Sequence, residues 1–290
     1  MSIKISGTGS FIPKNIIKNN TFLDSEFYDK NGEPYPNSNK DIIEKFELIT
    51  GIKERRYADK NHNTSDLATF ASIEAIKDAG IDKEEIDYII VAHNFGEIDY
   101  NTNQYIALPS VATLVKHKLE ISNENCVAYD IIFGCPGWVE GIIQAKAFIN
   151  SGMAKKCLVI GADTLSRTVD KNDRDSLIFA DGAGAAIVEK SEDGGGILSH
   201  KTITKAGKEA LYLFCKNSYS PKIKSKTKFI KMNGRKVYEF AISTIPHALK
   251  SCIEKSQKTN LDSASKLNSI KTWSQSKTST YLTDYAEGLA

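Results

Sequence analysis

Apolar positions change period repeatedly along the first part of the chain, from short continuous runs to a helical repeat and back. The runs at 3–9, 86–92, 126–133, 157–161 and 183–189 predict strands. In the second of them, Asp87-Tyr-Ile-Ile-Val-Ala is apolar at consecutive positions, the pattern of a strand covered on both faces. Between the runs, the periodicity predicts helices at 41–49, 65–79, 110–118 and 136–151. The helix at 65–79 takes Ser65 as its N-cap and stops at Gly80. Buried strands alternating with helices predict a layered α/β fold.

The texture changes from Gly194 onward. Gly194-Gly-Gly predicts a turn and 197–204 a strand, and 235–256 predicts a helix with Val237, Phe240, Ala241, Ile245, Leu249 and Ile253 along one face. Residues 216–236 carry Lys216, Lys222, Lys224, Lys226, Lys228, Lys231, Arg235 and Lys236. Two readings of this stretch are open: a solvated, mobile loop, and a docking face for an acidic partner, since clustered cations steer anionic proteins at long range. Beyond 256 the pattern gives way to Ser, Thr and Lys with no sustained period, which predicts a disordered or weakly structured tail. The chain is thus expected to divide at 1–190, 191–256 and 257–290.

Bulk properties narrow the function class. With 290 residues the chain can bury the core of one large domain or of two fused halves. A formal net charge of +2 gives no basis for nucleic acid as the main partner. No run of 18 apolar residues exists to span a membrane, and Met1-Ser-Ile-Lys-Ile-Ser-Gly7 reads as a strand rather than a signal peptide. The five cysteines form no C-x-x-C pair and no metal-like spacing with histidine, which fits a reducing cytosol and argues against zinc. A soluble cytoplasmic protein is expected.

Candidate chemistry concentrates at Cys135, in Phe133-Gly-Cys-Pro-Gly-Trp138. The run 127–133 meets a tight glycine–proline corner, and Val139, Ile142, Ile143, Ala147 and Phe148 follow at helical spacing. Proline suits the first helical position, and Ser151-Gly152 supplies the stop. The thiol therefore sits where a strand hands over to a helix N-terminus. Unpaired N–H groups and the helix dipole there favour a thiolate and can hold an oxyanion. From the residues alone, a nucleophile and a merely packed thiol both remain open. Cys126, Cys157, Cys215 and Cys252 lack such a corner and are expected to be structural.

With Cys135 placed, the surrounding motifs resemble those of the β-ketoacyl-ACP synthase III family, condensing enzymes of the thiolase superfamily. The matching stretches are Gly7-Thr-Gly-Ser-Phe-Ile-Pro13, Thr50-Gly-Ile-Lys-Glu-Arg-Arg56, Ser65-Asp-Leu-Ala68 and Leu108-Pro-Ser-Val-Ala112. After the Cys135 corner come Leu158-Val-Ile-Gly-Ala-Asp-Thr-Leu-Ser-Arg167, Asn172-Asp-Arg-Asp175, Phe179-Ala-Asp-Gly-Ala-Gly-Ala185 and Met232-Asn-Gly-Arg-Lys-Val-Tyr238. They follow family order across residues 1–256. The resemblance implies a thiolase-like α/β fold, two pseudo-repeated βαβαβαββ halves in five layers, with the second half incomplete. It also implies a homodimer, no cofactor, and acyl-CoA or acyl carrier protein (ACP) thioesters as substrates with malonyl-ACP. Cys135 matches the nucleophile that takes the acyl group; its own N–H matches half of the oxyanion hole.

Departures from the family pattern fall in the second half and around the donor. The resemblance calls for a His in Pro-His-Gln-Ala-Asn, but the corresponding region reads Lys266-Leu-Asn-Ser-Ile-Lys-Thr272. The Gly-Asn-x-Ser motif and the terminal Gly-Gly-Gly turn are also missing. His247, inside the 235–256 helix, is expected to be structural, and His62, His93, His117 and His200 to be surface or satisfied histidines. The Trp and Arg of the family's CoA-adenine clamp correspond to Lys45 and Ile49, whereas Arg174 matches the other arginine at the nucleotide end of CoA. That pattern favours an acyl-carrier-protein donor. Leu108 falls where a gating Phe often stands, after a loop longer than usual, so the pocket is expected to admit more than acetyl.

Three functional readings follow. The chain is an active synthase or acyltransferase of this type; or it is a non-catalytic subunit that shapes the pocket of an intact relative; or its second half is cut short or read out of frame after Ser256. In the third case at most acyl loading at Cys135 would survive.

Overall fold

Five buried strands form the sheet that the continuous apolar runs predict. A computed structural model of the chain describes residues 2–192 and 196–259. In chain order the strands are β1 (Ser2–Phe11), β2 (Asn15–Lys18), β3 (Glu54–Tyr57), β4 (Tyr88–His93), β5 (Glu97–Ile98), β6 (Tyr105–Ile106), β7 (Val127–Ile132), β8 (Lys156–Thr164), β9 (Asp181–Ser191), β10 (Leu213–Lys216) and β11 (Phe229–Met232). The α-helices are α1 (Asn39–Thr50), α2 (Thr64–Ala79), α3 (Val111–Lys118), α4 (Gly137–Asn150) and α5 (Gly234–Thr259).

Two units share the chain and interleave along it. The first comprises Met1–Ile17, Arg55–Thr168 and Phe179–Ile197; the second takes Lys18–Glu54, Val169–Ile178 and the chain from Leu198 onward. The first unit leaves out two earlier segments, because those segments pack with the later part of the chain.

In the first unit the sheet order is β1-β9-β8-β4-β7. Strand β4 runs parallel to β7 and β8, while β9 is antiparallel to β8 and β1. Helices α2 and α3 close a core with Ile89, Val91, Leu158 and Ile187 on one face. Helix α4 closes another with Ile90, Val159 and Val188 on the opposite face. Neighbouring residues of β4 thus enter different cores, which is why its sequence is apolar without alternation. Each such fully buried side chain contributes about 1.5–3 kcal/mol of apolar transfer. Strand β1 lies directly on the backbone of α2: a Cβ at Gly9 would meet Ala71 O at 2.2 Å and Ala75 N at 2.4 Å. Only glycine fits that approach.

Two local expectations change. Helix α2 starts at Thr64, with Asn63 as N-cap, and the Asp66 carboxylate accepts from the Asn63 N–H at 2.7 Å. Ser65 sits in the first turn instead, where its N–H and hydroxyl both donate to buried Glu97 at 2.8 Å. The 197–204 segment is not a strand. Ile197 N–H donates to Ile3 O, but no strand among the described residues offers the rest of the segment a ladder.

In the second unit Ser38 caps α1, Gly51 ends it at φ 68°, and Ile42 and Ile43 pack with Phe27 and Leu177. The lysine-rich stretch contains the antiparallel pair β10–β11. Lys231 overturns the solvated reading at its position: its ammonium is wholly buried between Asp170 and Asp173. Lys222 pairs with Glu26, and Arg235 and Lys236 pair with Glu239, all on exposed surface. Helix α5 runs to Thr259. Beyond that residue, the tail expectation for 257–290 lies outside the described residues. Among the described residues no helix is long and apolar enough to cross a membrane.

Candidate active site

Strand β7 delivers the chain to the corner at the C-terminal end of the parallel strands. Gly134 has φ 77°, a left-handed conformation that glycine adopts without the Cβ penalty. The Gly137 N–H donates to Gly134 O at 2.8 Å, closing a turn around Cys135 and Pro136. Pro136 is the N-cap of α4 rather than its first residue, and Glu140 N–H donates to its carbonyl at 3.1 Å. The helix stops as expected, with Ser151 as C-cap and Gly152 at φ 79°. A Cβ at Gly137 would lie 2.9 Å from the Ala92 Cβ, so the start of α4 rests on the end of β4.

Cys135 is exposed and unbridged, and it lines a cavity of about 270 Å³ with Asn94, Trp138, Gly161, Asp163 and Gly184. Asp163, on β8, is the other titratable group among the described residues that line this space. Its carboxylate accepts from the Asn94 N–H at 3.0 and 3.1 Å and from Asn94 Nδ2 at 2.7 Å. Burial pushes the Asp163 carboxyl up, and these donors only partly pull it back. Asp181 is built the same way, raised by burial while Ser166 and the Ala58 N–H hold it.

The remaining cysteines carry no such setting. Cys126 and Cys157 are buried, and burial pushes the Cys157 thiol up to about 12. Cys215 is exposed, with its thiol also raised by burial of its sulfur, and Cys252 is half-buried beside the Ser199 hydroxyl. His247 is exposed on α5. His93 is buried, with Nε2 3.0 Å from Asp130 Oδ2, while its Nδ1 has no hydrogen-bond partner among the described residues. Asp130 in turn accepts the first N–H groups of α3, from Val111 and Ala112, at 2.8 Å. This network fastens α3 to β7 and uses up those helix-terminal donors.

Leu108 is 83 % exposed and does not line the cavity. Arg174 belongs to the second unit. Its guanidinium lies over the Tyr35 ring at 4.5 Å, and its Nε is 3.7 Å from Asp175 Oδ1. Asp175 is pushed up to about 6 by burial and the neighbouring Asp173 charge, against the pull of Arg174 and Lys231.

Comparison with known proteins bears on this arrangement. Residues 129–206, which include the Cys135 corner, match the family described as 3-Oxoacyl-[acyl-carrier-protein (ACP)] synthase III. The beta-ketoacyl-[acyl-carrier-protein] synthase III of Staphylococcus epidermidis is 36% identical over 256 residues, 88% of this chain and 72% of that protein. The chain belongs to this family. The synthase III of Fusobacterium nucleatum is likewise 36% identical over 263 residues, covering 88% of this chain and 73% of its own length. The crystal structure of the Aquifex aeolicus synthase III matches with a TM-score of 0.71 at 32% identity, over 88% of this chain and 72% of that one. The synthase III fold, thiolase-like and α/β, is therefore the fold of this chain, and the family is one of condensing acyltransferases of fatty-acid biosynthesis.

Two residues of the cavity escaped the sequence reading. Asp163 lies inside the family-like stretch 158–167, and Asn94 follows the strand predicted at 86–92. Neither type signals a site by itself, and 69 positions separate them.

Proposed function

We propose that this chain loads an acyl group on Cys135 and condenses it with malonyl-ACP, in the cytoplasm and without a bound cofactor. The observation that carries the reading is the position of Cys135: an exposed thiol on a left-handed-glycine corner, at the N-terminus of α4, opening on a cavity. The Cys135 thiolate attacks the carbonyl carbon of an acyl thioester. A new S–C bond forms, and the bond to the CoA or carrier-protein sulfur breaks with release of that sulfur as a thiolate, which takes its proton from water. In the second step malonyl-ACP loses CO2 and its carbanion attacks the acyl carbon. The bond to Cys135 breaks, leaving 3-oxoacyl-ACP and the free thiolate. The N–H groups at the start of α4 support the first step. A second reading, loading without condensation, is favoured by the region where the resemblance calls for Pro-His-Gln-Ala-Asn, which reads Lys266-Leu-Asn-Ser-Ile-Lys-Thr272.

One assay separates the two. Acyl-CoA and acyl-ACP donors of increasing chain length are supplied with malonyl-ACP, and both the protein and the carrier are weighed by mass spectrometry. Condensation is expected to give 3-oxoacyl-ACP, and the donor lengths accepted are read from the same spectra. An acyl adduct without that product establishes the loading-only reading; no adduct on folded protein overturns both. For the donor, Arg174 stacked on Tyr35 offers a cation beside an aromatic face to the nucleotide end of CoA. Arg174→Ala is expected to raise KM for acyl-CoA about threefold to tenfold with kcat unchanged, the mark of lost uniform binding. An equal KM for both proteins removes Arg174 from the donor site.

The proposal includes a homodimer joined along β7. Among the described residues that strand pairs with β4 alone, and its last residue, Ile132, is 71 % exposed, followed by Phe133 at 40 %. An apolar free edge is a ready template for a second strand. Sedimentation velocity is expected to give a dimer that Ile132→Asp dissociates; a wild-type monomer at micromolar concentration refutes it.

A further inference from the structure

We infer that Asn94 is a positioning residue for Cys135, anchored by Asp163, and that together they set the reactivity of the thiol. The inference rests on the reading of Cys135 as the nucleophile.

The end of β4 is the mould on which the corner is cast. Ala92 and Asn94 lie two residues apart, and the two glycines of the turn are the groups that meet them. A Cβ at Gly137 would strike Ala92, and a Cβ at Gly134 would lie 3.2 Å from Asn94 Oδ1. Cys135 is held between these two glycines, so its backbone takes its place from the contacts on either side.

Asn94 cannot swing away from that position. Its own N–H and its Nδ2 both donate to the Asp163 carboxylate, and the Phe95 N–H adds a longer bond at 3.4 Å. Since Nδ2 is committed to Asp163, the amide presents Oδ1, not its NH2, to Gly134. An unanchored asparagine would turn either end toward the corner. Asp163 is half-buried and accepts from the Asn94 N–H, Asn94 Nδ2 and the Phe95 N–H together, so several donors hold one carboxylate in place. The chain of contacts runs from β8 through Asp163 and Asn94 to Gly134 and Cys135, and every link lies in the first unit.

The consequence for chemistry is geometric. A nucleophile displaced by about 1 Å can lose up to about a hundredfold in rate. The test reads the thiol directly, as the pH-rate profile of Cys135 alkylation by iodoacetamide, in which the thiolate displaces iodide and forms a C–S bond. Asn94→Ala leaves Asp163 with its two backbone donors and is expected to slow alkylation at pH 7 about tenfold and to shift the profile. Asp163→Asn sets an NH2 against the NH2 of Asn94 and turns the Asn94 amide around, with a similar loss. The double variant N94D/D163N again gives a donor on β8 facing an acceptor at 94, and presents an oxygen to Gly134. It is expected to recover most of the rate.

Thermal midpoints measured alongside separate positioning from folding. Altered profiles in variants that melt near the wild type, with recovery in the double variant, support the inference. Superimposed profiles in all four proteins overturn it, and so does a loss that tracks the melting temperature and is not recovered by the exchange. If the wild type alkylates at Cys135 but takes no acyl group from any donor, the nucleophile reading fails while the positioning result still stands or falls by its own profile.

Discussion

Replacing Cys135 by serine leaves the protein folded and without an acyl adduct. Two quantities make the loss large. The N-terminus of a helix stabilises a nearby anion by about 0.3–1 kcal/mol at an exposed site, and a thiolate is the anion that a cysteine offers there. The same increment does nothing useful for a hydroxyl, whose ionisation lies far outside the accessible range. Removing the nucleophile of a comparable acyl-transfer site costs roughly 10⁴–10⁶ in rate, so adduct formation falls below detection on the time scale of the wild type. Serine is nearly the size of cysteine, and the corner is held by Gly134 and Gly137 rather than by the thiol, so circular dichroism should not change. Peptide mapping completes the measurement. Cys215 is exposed and Cys252 half-buried, and either can take a stray acyl group, whereas Cys126 and Cys157 are buried. An adduct of wild-type stoichiometry in the serine variant, mapped to Cys215 or Cys252, would remove Cys135 from the mechanism.

What could be read from the sequence was local. The strands at 86–92 and 157–161 announce themselves because β4 and β8 feed cores on both faces, and no surface position interrupts their apolar run. The Cys135 corner was legible for a similar reason: Gly134 and Pro136 each carry a backbone signature that does not depend on distant partners. Long-range pairing was not legible. Ser65 looks like a cap until Glu97, 32 positions away, is folded against it. The segment 197–204 reads as a strand, yet a strand exists only where a second one offers its hydrogen bonds. Asn94 and Asp163 are ordinary polar residues in sequence and become an anchored pair only when β4 and β8 lie side by side. Resemblance to the family supplied the assignment of Arg174, but Tyr35 beneath it had no sequence signal at all.

Lys231 is the strongest case of this kind, and Lys231→Met is expected to cost about 3–5 kcal/mol of stability at pH 7. In the sequence it is one cation in a lysine-rich stretch. In the fold its side chain has no solvent exposure: Nζ donates to Asp170, lies 3.0 Å from Asp173 Oδ2, and sits 3.4 Å above the Tyr219 ring. Methionine matches the volume and removes the charge, leaving two carboxylates with side-chain exposures of 1% and 9% without their cation. Breaking one partner out of such a cluster is far costlier than replacing the whole cluster by apolar residues. The pH dependence carries the sign of the argument. Burial alone would push the Asp170 carboxyl up, but Lys231, the Tyr219 N–H and the Ser218 hydroxyl outweigh it and hold the group below its ordinary value. A carboxylate with a depressed folded value contributes stability that is present above the unfolded value, about 3.9, and is lost as pH falls through the folded one. Without Lys231 the sign reverses. The desolvated Asp170 carboxylate then favours its proton in the folded state, so the variant loses stability as pH rises from about 4 toward neutrality. Urea unfolding should therefore show a gap between wild type and variant that is widest near pH 7 and narrows by pH 4. Equal midpoints at pH 7 would mean that water reaches Asp170 and Asp173 and that the second unit does not depend on this ion cluster. A wide gap that closes in acid places the cluster among the principal supports of β11, the strand that leads into α5.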